Sequence, residues 1–252
     1  MGWRFLMLST ATAWLVILPA RAADLHFLTE DFRPYSYGED GKSAGPVPEI
    51  IRAVCTELGQ TCTIEQQPWR RVLQAAKAGE TSGTFVADLP ERQVDFRITT
   101  PIVQSAVVLF AAEASPFSYR QPTDLGDRRI GVYGPSGTSI VGQEVLTQAH
   151  IDTPLVMETA NDVVLRMLSL GRYGPNGVGL VNRDVGLDII KSEQIPGLKT
   201  VGALRPILYG IGLSRKSVDE AEFARFNAAL GRVKQAGTVR AILGRYGLEP
   251  AV

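Results

Sequence analysis

Between Gly83 and Phe96 the chain reads GTFVADLPERQVDF: an apolar run ends at an acid, a proline follows, and Arg92 stands two residues beyond it. Asp88 and Glu91 are spaced as a capping-box-like helix start with Pro90 suited to the first turn. Free backbone N–H groups and a guanidinium would then meet just past a strand end, a place that attracts an anion. The planar fork of a guanidinium matches a carboxylate, and such bonds strengthen in a cleft that dries as it closes. The competing reading is a surface cation paired with Glu91 or Asp95. A second cluster of donors is GPSGTS, where Gly137, Thr138 and Ser139 follow the apparent strand RIGVY and open a helical stretch. The same residues also read as a plain turn and helix cap. A serine nucleophile has little support: the order is G-P-S-G rather than G-x-S-x-G, and only His26 and His150 offer a base.

Phe32, just before Pro34, and Trp69, at a helix start, are candidate aromatic walls for a ligand. Trp69 suits the core equally well, since it shares an apolar stripe with Val72 and Leu73. Arg71 lies off that stripe, near a helix start where a cation opposes the dipole; it is either a second anion contact or part of a solvated face. Cys55 and Cys62 are the two cysteines, seven positions apart. In an oxidising compartment they are a disulfide candidate joining a helix end to the following strand, the alternative being two separate buried thiols. With so few cysteines and histidines no zinc cluster is expected, and no cofactor is called for.

These residues need elements to hold them. VPEIIRAVCTELG places Val47, Ile50, Ile51, Val54 and Leu58 on one helical stripe and stops at Gly59; WRRVLQAAKAG repeats the pattern before Gly79. Short apolar runs separate such helices: LHFLT, TCTIE and GTFVA first, then RIGVYG, TPLVME, GVGLVN and ILYGIGLS, with helical stretches near 140–149, 160–170 and 184–192. Two helices, DEAEFARFNAALGRVKQAG and TVRAILGRYG, close the chain. This order predicts an α/β fold with mostly parallel sheets covered by helices. No repeat, low-complexity tract or Pro/Ser-rich linker marks a boundary.

The first residues, MGWRFLMLSTATAWLVILPARAADL, carry one early cation, a short apolar segment interrupted by Ser9, Thr10 and Thr12, and then Ala20-Arg21-Ala22. That is the form of an export signal cleaved after Ala22 rather than of a membrane anchor, which needs ~20 apolar residues. Its loss removes Arg4 and Arg21, so the balance of 26 basic and 26 acidic residues tips only slightly acidic. Nucleic acid is not an expected partner. A soluble periplasmic protein is expected, large enough for one big domain or two small ones.

DFRPYSY, GKSAGPVPEII, PWRRVLQAAKAG, LPERQVDF followed by TTPI, IGVYGPSGTS and the closing YGIGLSRKSVDEAEFARFNAALGRVKQAGTVRAILGRYG together resemble successive landmarks of periplasmic solute-binding proteins of ABC importers. The likeness is to family 3, the polar amino acid type, in a divergent branch marked by the PWRR element. It covers nearly all of the chain after the leader. The resemblance implies two α/β lobes joined by two crossing strands, with ligand in the interlobe cleft, and places the crossings at 107–112 and 208–213. After a signal peptide at 1–22, lobe 1 would comprise 23–108 and 209–252, and lobe 2 would comprise 109–208. Open α/β sheets place small-molecule sites at such strand ends.

By the same resemblance Arg92 clamps a ligand carboxylate, Phe32 and Trp69 sandwich the ligand, and Gly137, Thr138 and Ser139 supply donors from lobe 2. Two places depart from the family. Thr84, Phe85 and Ala87 stand where the amino acid binders carry small hydroxyl residues. Asn182 stands where they carry an aspartate for the ligand's α-ammonium, with Asp184 two residues later. An amide at that point suits a ligand whose corresponding group is neutral, because burying an ammonium costs several kcal/mol unless an anion faces it. The alternatives are that Asp184, Glu30 or Asp88 supplies the charge, or that Asn182 is a turn residue. The expected function is capture of a small carboxylate-bearing ligand, an amino acid or amino-acid-like, by a monomer serving an inner-membrane ABC permease. An enzyme on the same scaffold, dehydratase-like with Glu30 or Asp88 as acid or base, and a ligand-sensing partner of a membrane receptor are the alternatives.

Overall fold

The computed structural model of the protein describes residues 24–251, and the leader expected over 1–22 lies outside them. The strands are β1 (Leu25–Thr29), β2 (Tyr37–Glu39), β3 (Lys42–Ala44), β4 (Cys62–Gln66), β5 (Gly83–Ala87), β6 (Phe96–Ile98), β7 (Val103–Ala112), β8 (Arg129–Tyr133), β9 (Leu155–Glu158), β10 (Gly177–Asn182) and β11 (Leu198–Ser214). The helices are α1 (Pro46–Leu58), α2 (Trp69–Ala78), α3 (Pro90–Gln93), α4 (Gly137–Gln148), α5 (Asn161–Ser169), α6 (Arg183–Ser192), α7 (Glu220–Gln235) and α8 (Thr238–Arg245). The α/β order read from the sequence is the order found.

Helix α1 shows why these segments fold as they do. Val47, Ile50, Ile51 and Val54 are fully buried along one stripe, and burying each such side chain is worth about 1.5–3 kcal/mol, far more than helix propensity supplies. The helix ends at Gly59 in the left-handed conformation, φ 67°, which a residue without Cβ adopts freely. The Cys55–Cys62 bridge then ties the end of α1 to the start of β4.

The main sheet runs β4-β1-β5-β11-β7-β10-β8-β9, with β6 also paired to β11. β4, β1 and β5 are parallel, and so are β10, β8 and β9. Between the two sets lie β7 and β11, antiparallel to each other from Val103 paired with Tyr209 to Ala112 paired with Leu198. β5 pairs with β11 only over 209–213, and β10 pairs with β7 only over 107–110. The two strands are thus the crossings, longer than the 107–112 and 208–213 expected. The ring of Phe27 in β1 packs at a tilt against Phe226 of α7, centroids 5.7 Å apart, and α1 packs on α7 and α8. The C-terminal helices therefore rejoin the first half of the chain. Among the described residues no helix is long and apolar enough to cross a membrane, and no acidic, histidine or cysteine cluster is arranged to hold a metal.

Candidate functional site

Strand ends from both halves converge on one small cavity of about 30 Å³. Lobe 1 contributes Glu30 and Phe32 past the end of β1, Trp69 at the head of α2, Phe85 and Ala87 of β5, and Arg92 of α3. Lobe 2 contributes Tyr133 at the end of β8, Ser136 to Thr138 at the head of α4, and Asn161 at the head of α5; Tyr209 comes from the crossing strand β11. Of the residues selected from sequence, Phe32, Trp69, Phe85, Ala87, Arg92, Gly137 and Thr138 are brought together here.

Arg92 reaches the cavity without a protein partner for its Nε or Nη2, both of which are buried. Its guanidinium lies 5.3 Å from the Trp69 ring centroid, a cation–π contact. Among the described residues no carboxylate pairs with it: Asp95 is engaged by Lys77 at 3.7 Å instead. Loss of water pulls the Arg92 pKa down, against the attraction of Glu30, but a guanidinium stays charged through such shifts. Glu30 retains some exposed surface as a residue, yet loss of water around its carboxyl pushes the pKa up to about 8; the Tyr133 hydroxyl and Arg92 oppose this rise. Tyr133 donates to Glu30 Oε2 at 3.4 Å, a long bond across the cleft.

The floor is aromatic. Phe85 stacks on Tyr209 at 5.0 Å, and Tyr35 meets both at 5.3 and 5.9 Å. Side chains of this size leave little room above β5. On the opposite wall, a Cβ added to Gly137 would lie 2.8 Å from Ala87 Cβ, so the halves approach here only because one residue has no side chain and the other a methyl group. Two further contacts hold the cleft shut. The Trp69 indole N–H donates to the Pro135 carbonyl at 2.6 Å, and Arg70 Nη2 donates to the Gly134 carbonyl at 3.2 Å. Trp69 thus serves both as core, being only 6% exposed, and as wall.

Other selected residues sit elsewhere. Arg71 is exposed and pairs with Glu80 at 3.0 Å, so the cleft cation of this helix is its neighbour Arg70. Ser139 is consumed in a reciprocal cap with Ser136, each side chain accepting from the other's backbone N–H. Asp88 does not cap α3. Leu89 occupies the N-cap without a side-chain bond, because Asp88 N–H still bonds Leu208 in the sheet while its carboxylate accepts from Gln93.

Asn182 is fully buried and outside the cavity lining. Its Oδ1 accepts from the N–H groups of Asp184 and Val185 as the N-cap of α6, and its Nδ2 donates to the Tyr209 hydroxyl at 3.0 Å. Asp184 in turn accepts from the Tyr35 hydroxyl at 2.7 Å and from Arg183 at 2.9 Å. The amide expected to meet a ligand is spent on the fold. Tyr133, Asn161 and Tyr209 escaped the sequence reading, since neither a tyrosine in a strand nor an asparagine at a helix head carries a spacing that separates cleft from core.

Two half-sheets of parallel strands joined by a crossing pair, with a charged cavity between them, define a two-lobed solute-binding architecture. Residues 26–249 match the model of the bacterial extracellular solute-binding proteins, family 3, and the chain belongs to that family. No curated protein sequence matches it. Solved structures similar to it include a histidine kinase sensor domain with similarity to periplasmic binding proteins (22% identity, TM-score 0.80, 92% of this chain and 99% of that one). Another is the arginine-, lysine-, histidine-binding protein ArtJ from Geobacillus stearothermophilus (17%, TM-score 0.75, 89% and 95%). A third is an ancestral arginine-binding protein bound to arginine (19%, TM-score 0.76, 90% and 99%). They share the periplasmic-binding-protein fold of this chain.

Proposed function

We propose that the protein is a non-catalytic carrier that closes its two lobes on a small carboxylate-bearing solute, an amino acid or a close analogue, held by Arg92. The observation that carries this reading is the guanidinium itself: a half-buried cation at the cavity, two of whose nitrogens have no hydrogen-bond partner in the protein. A desolvated charge is stable only when paired, so a carboxylate that completes the fork is favoured over water. Thr138 and the head of α4 complete the anion site from lobe 2. ArtJ and the ancestral arginine-binding protein, which bind amino acids, support the ligand class. We assign no catalytic role, because the family is one of solute-binding proteins and the similar ArtJ and ancestral proteins are binders.

The ligand passes to an inner-membrane ABC permease, with lobes 23–108 plus 209–252 and 109–208 hinging about β7 and β11. The sensor domain, similar over 99% of its own length, favours a second reading in which the closed form signals to a membrane receptor. Native mass spectrometry of the purified protein should reveal a carried-over acid, and calorimetry with it should show Arg92→Ala losing over a hundredfold in affinity, ~3 kcal/mol or more. Arg92→Ala within threefold of wild type would refute the clamp. Recovery of a chemically altered ligand would refute the carrier.

A further inference from the structure

Two opposite charges share the cavity without pairing with each other. Arg92 and Glu30 both line it and attract one another through it, yet they form no salt bridge within 4.0 Å. Arg92 has two buried nitrogens without a partner, while Glu30 has a single long bond from Tyr133 at 3.4 Å, well short of what a carboxylate can accept. Glu30 is also the one acid among the described lining residues. The other acids considered for a ligand cation are occupied: Asp184 by Tyr35 and Arg183, Asp88 by Gln93. Glu30, Phe32, Tyr133 and Asn161 also line a neighbouring pocket of about 350 Å³, whose other acids are paired: Asp31 with Arg33 at 3.8 Å, and Asp162 and Glu193 with Arg166 at 3.9 and 2.5 Å. Because Arg92 and Glu30 line one cavity of only about 30 Å³, a ligand anchored at Arg92 lies beside Glu30.

We infer that Glu30 selects the charge of the ligand, its carboxylate facing the ammonium of a dipolar molecule whose own carboxylate is held by Arg92; this rests on the clamp proposed above. The ammonium is thus held from lobe 1, at the end of β1, and not from the head of α6 where Asn182 is consumed. Electrostatics agree. The groups acting on Glu30 are Arg92 from α3, Tyr133 from the end of β8, Tyr209 from β11 and Asp31 beside it in the chain. Closing over Glu30 with no cation at hand raises its pKa from 4.5 to about 8, loss of water being the main cause. Because the closed state then binds the proton more tightly than the open one, this closure is fully favoured below the ordinary carboxyl range. That advantage is lost as pH rises through about 8. An ammonium pairs with the ionised form and removes the dependence.

The test is calorimetry on the purified protein with glycine, β-alanine and the standard L-amino acids, set against glycolate, lactate and propionate as ammonium-free probes, between about pH 5 and pH 8. The wild type should prefer an ammonium-bearing probe by about tenfold or more at neutral pH, and ammonium-free probes should weaken as pH rises. Glu30→Gln should weaken the ammonium-bearing probe about a hundredfold and leave the ammonium-free ones as tight or tighter, with Glu30→Asp recovering part of the loss. Thermal unfolding checks that both variants fold. Arg92-dependent binding that Glu30→Gln changes by less than threefold overturns this assignment alone, as does a wild type that prefers the ammonium-free acids. Binding that survives Arg92→Ala, or a wild type that binds no probe in the panel, overturns the clamp and the assignment with it.

Discussion

Trp69→Phe separates wall from clasp. The indole does two things at once: its face lies under Arg92 at 5.3 Å, and its N–H donates across the cleft to the Pro135 carbonyl at 2.6 Å. A phenyl ring keeps a face for the guanidinium but has no donor. The lost bond is neutral, and Pro135 is exposed, so its freed carbonyl returns to water and no buried acceptor is stranded. The net cost is then about 1 kcal/mol, and it falls on the closed state alone because the bond joins the two lobes. Affinity for whichever acid the wild type binds should fall about fivefold, mostly through faster dissociation, since the clasp forms after encounter. Calorimetry gives the affinity, and stopped-flow competition gives the off-rate. Arg70 still reaches Gly134 in the variant, which keeps the loss modest. Unchanged affinity would show that the clasp contributes nothing to closure. A loss beyond a hundredfold would show that the indole binds the ligand directly, and either result refutes the reasoning.

Gly137→Ala should act as a wedge: a new Cβ 2.8 Å from Ala87 Cβ obstructs closure, so affinity should drop at least about tenfold while unfolding stability changes by under about 0.5 kcal/mol. Ala87→Gly in the same chain should restore binding, and failure to do so would place the obstruction elsewhere. Asn182→Ala should unfold the protein more easily by about 2–4 kcal/mol, as α6 loses its cap and the buried Tyr209 hydroxyl loses its donor. Denaturant melts measure this, and a stable variant with altered ligand preference would return Asn182 to the binding site.

Most of the fold was legible because periodicity reports burial. The stripe of α1 and the short runs of β1, β5, β8 and β10 are apolar at the positions that face a core, and nothing else competes for those residues. The missed pieces are those held by partners distant in sequence. The first half of β11 reads LKTVGALRPI, broken by a glycine and a proline, and it is a strand only because β7 lies alongside it; its register shifts between Thr200 and Gly202 and again between Ala203 and Arg205. The β2–β3 hairpin and β6 are three residues each, too short to show alternation.

The site was half legible for a related reason. Arg92 and the head of α4 stand in local contexts, a strand end followed by a helix start, that carry their meaning with them. Asn182 stands in such a context too, and the same local rule admits two outcomes: a side chain at a helix head can face a ligand or cap the helix. What decided it was a set of distant partners: the Tyr209 hydroxyl takes the amide's N–H, while Oδ1 accepts from the backbone of α6 and from the Ser105 and Tyr35 hydroxyls. Tyr209 also stacks on Phe85, so the departure at β5 and the departure at Asn182 are two sides of one packing solution. An aromatic pair fills the floor, a polar residue behind it is sealed from the cavity, and the negative charge at the cavity comes from Glu30 at the end of β1. Substituting one member without the others therefore leaves either a void or an unpartnered buried group. For that reason opening the head of α6 to a ligand in this chain should require Phe85, Tyr209 and Asn182 to change together.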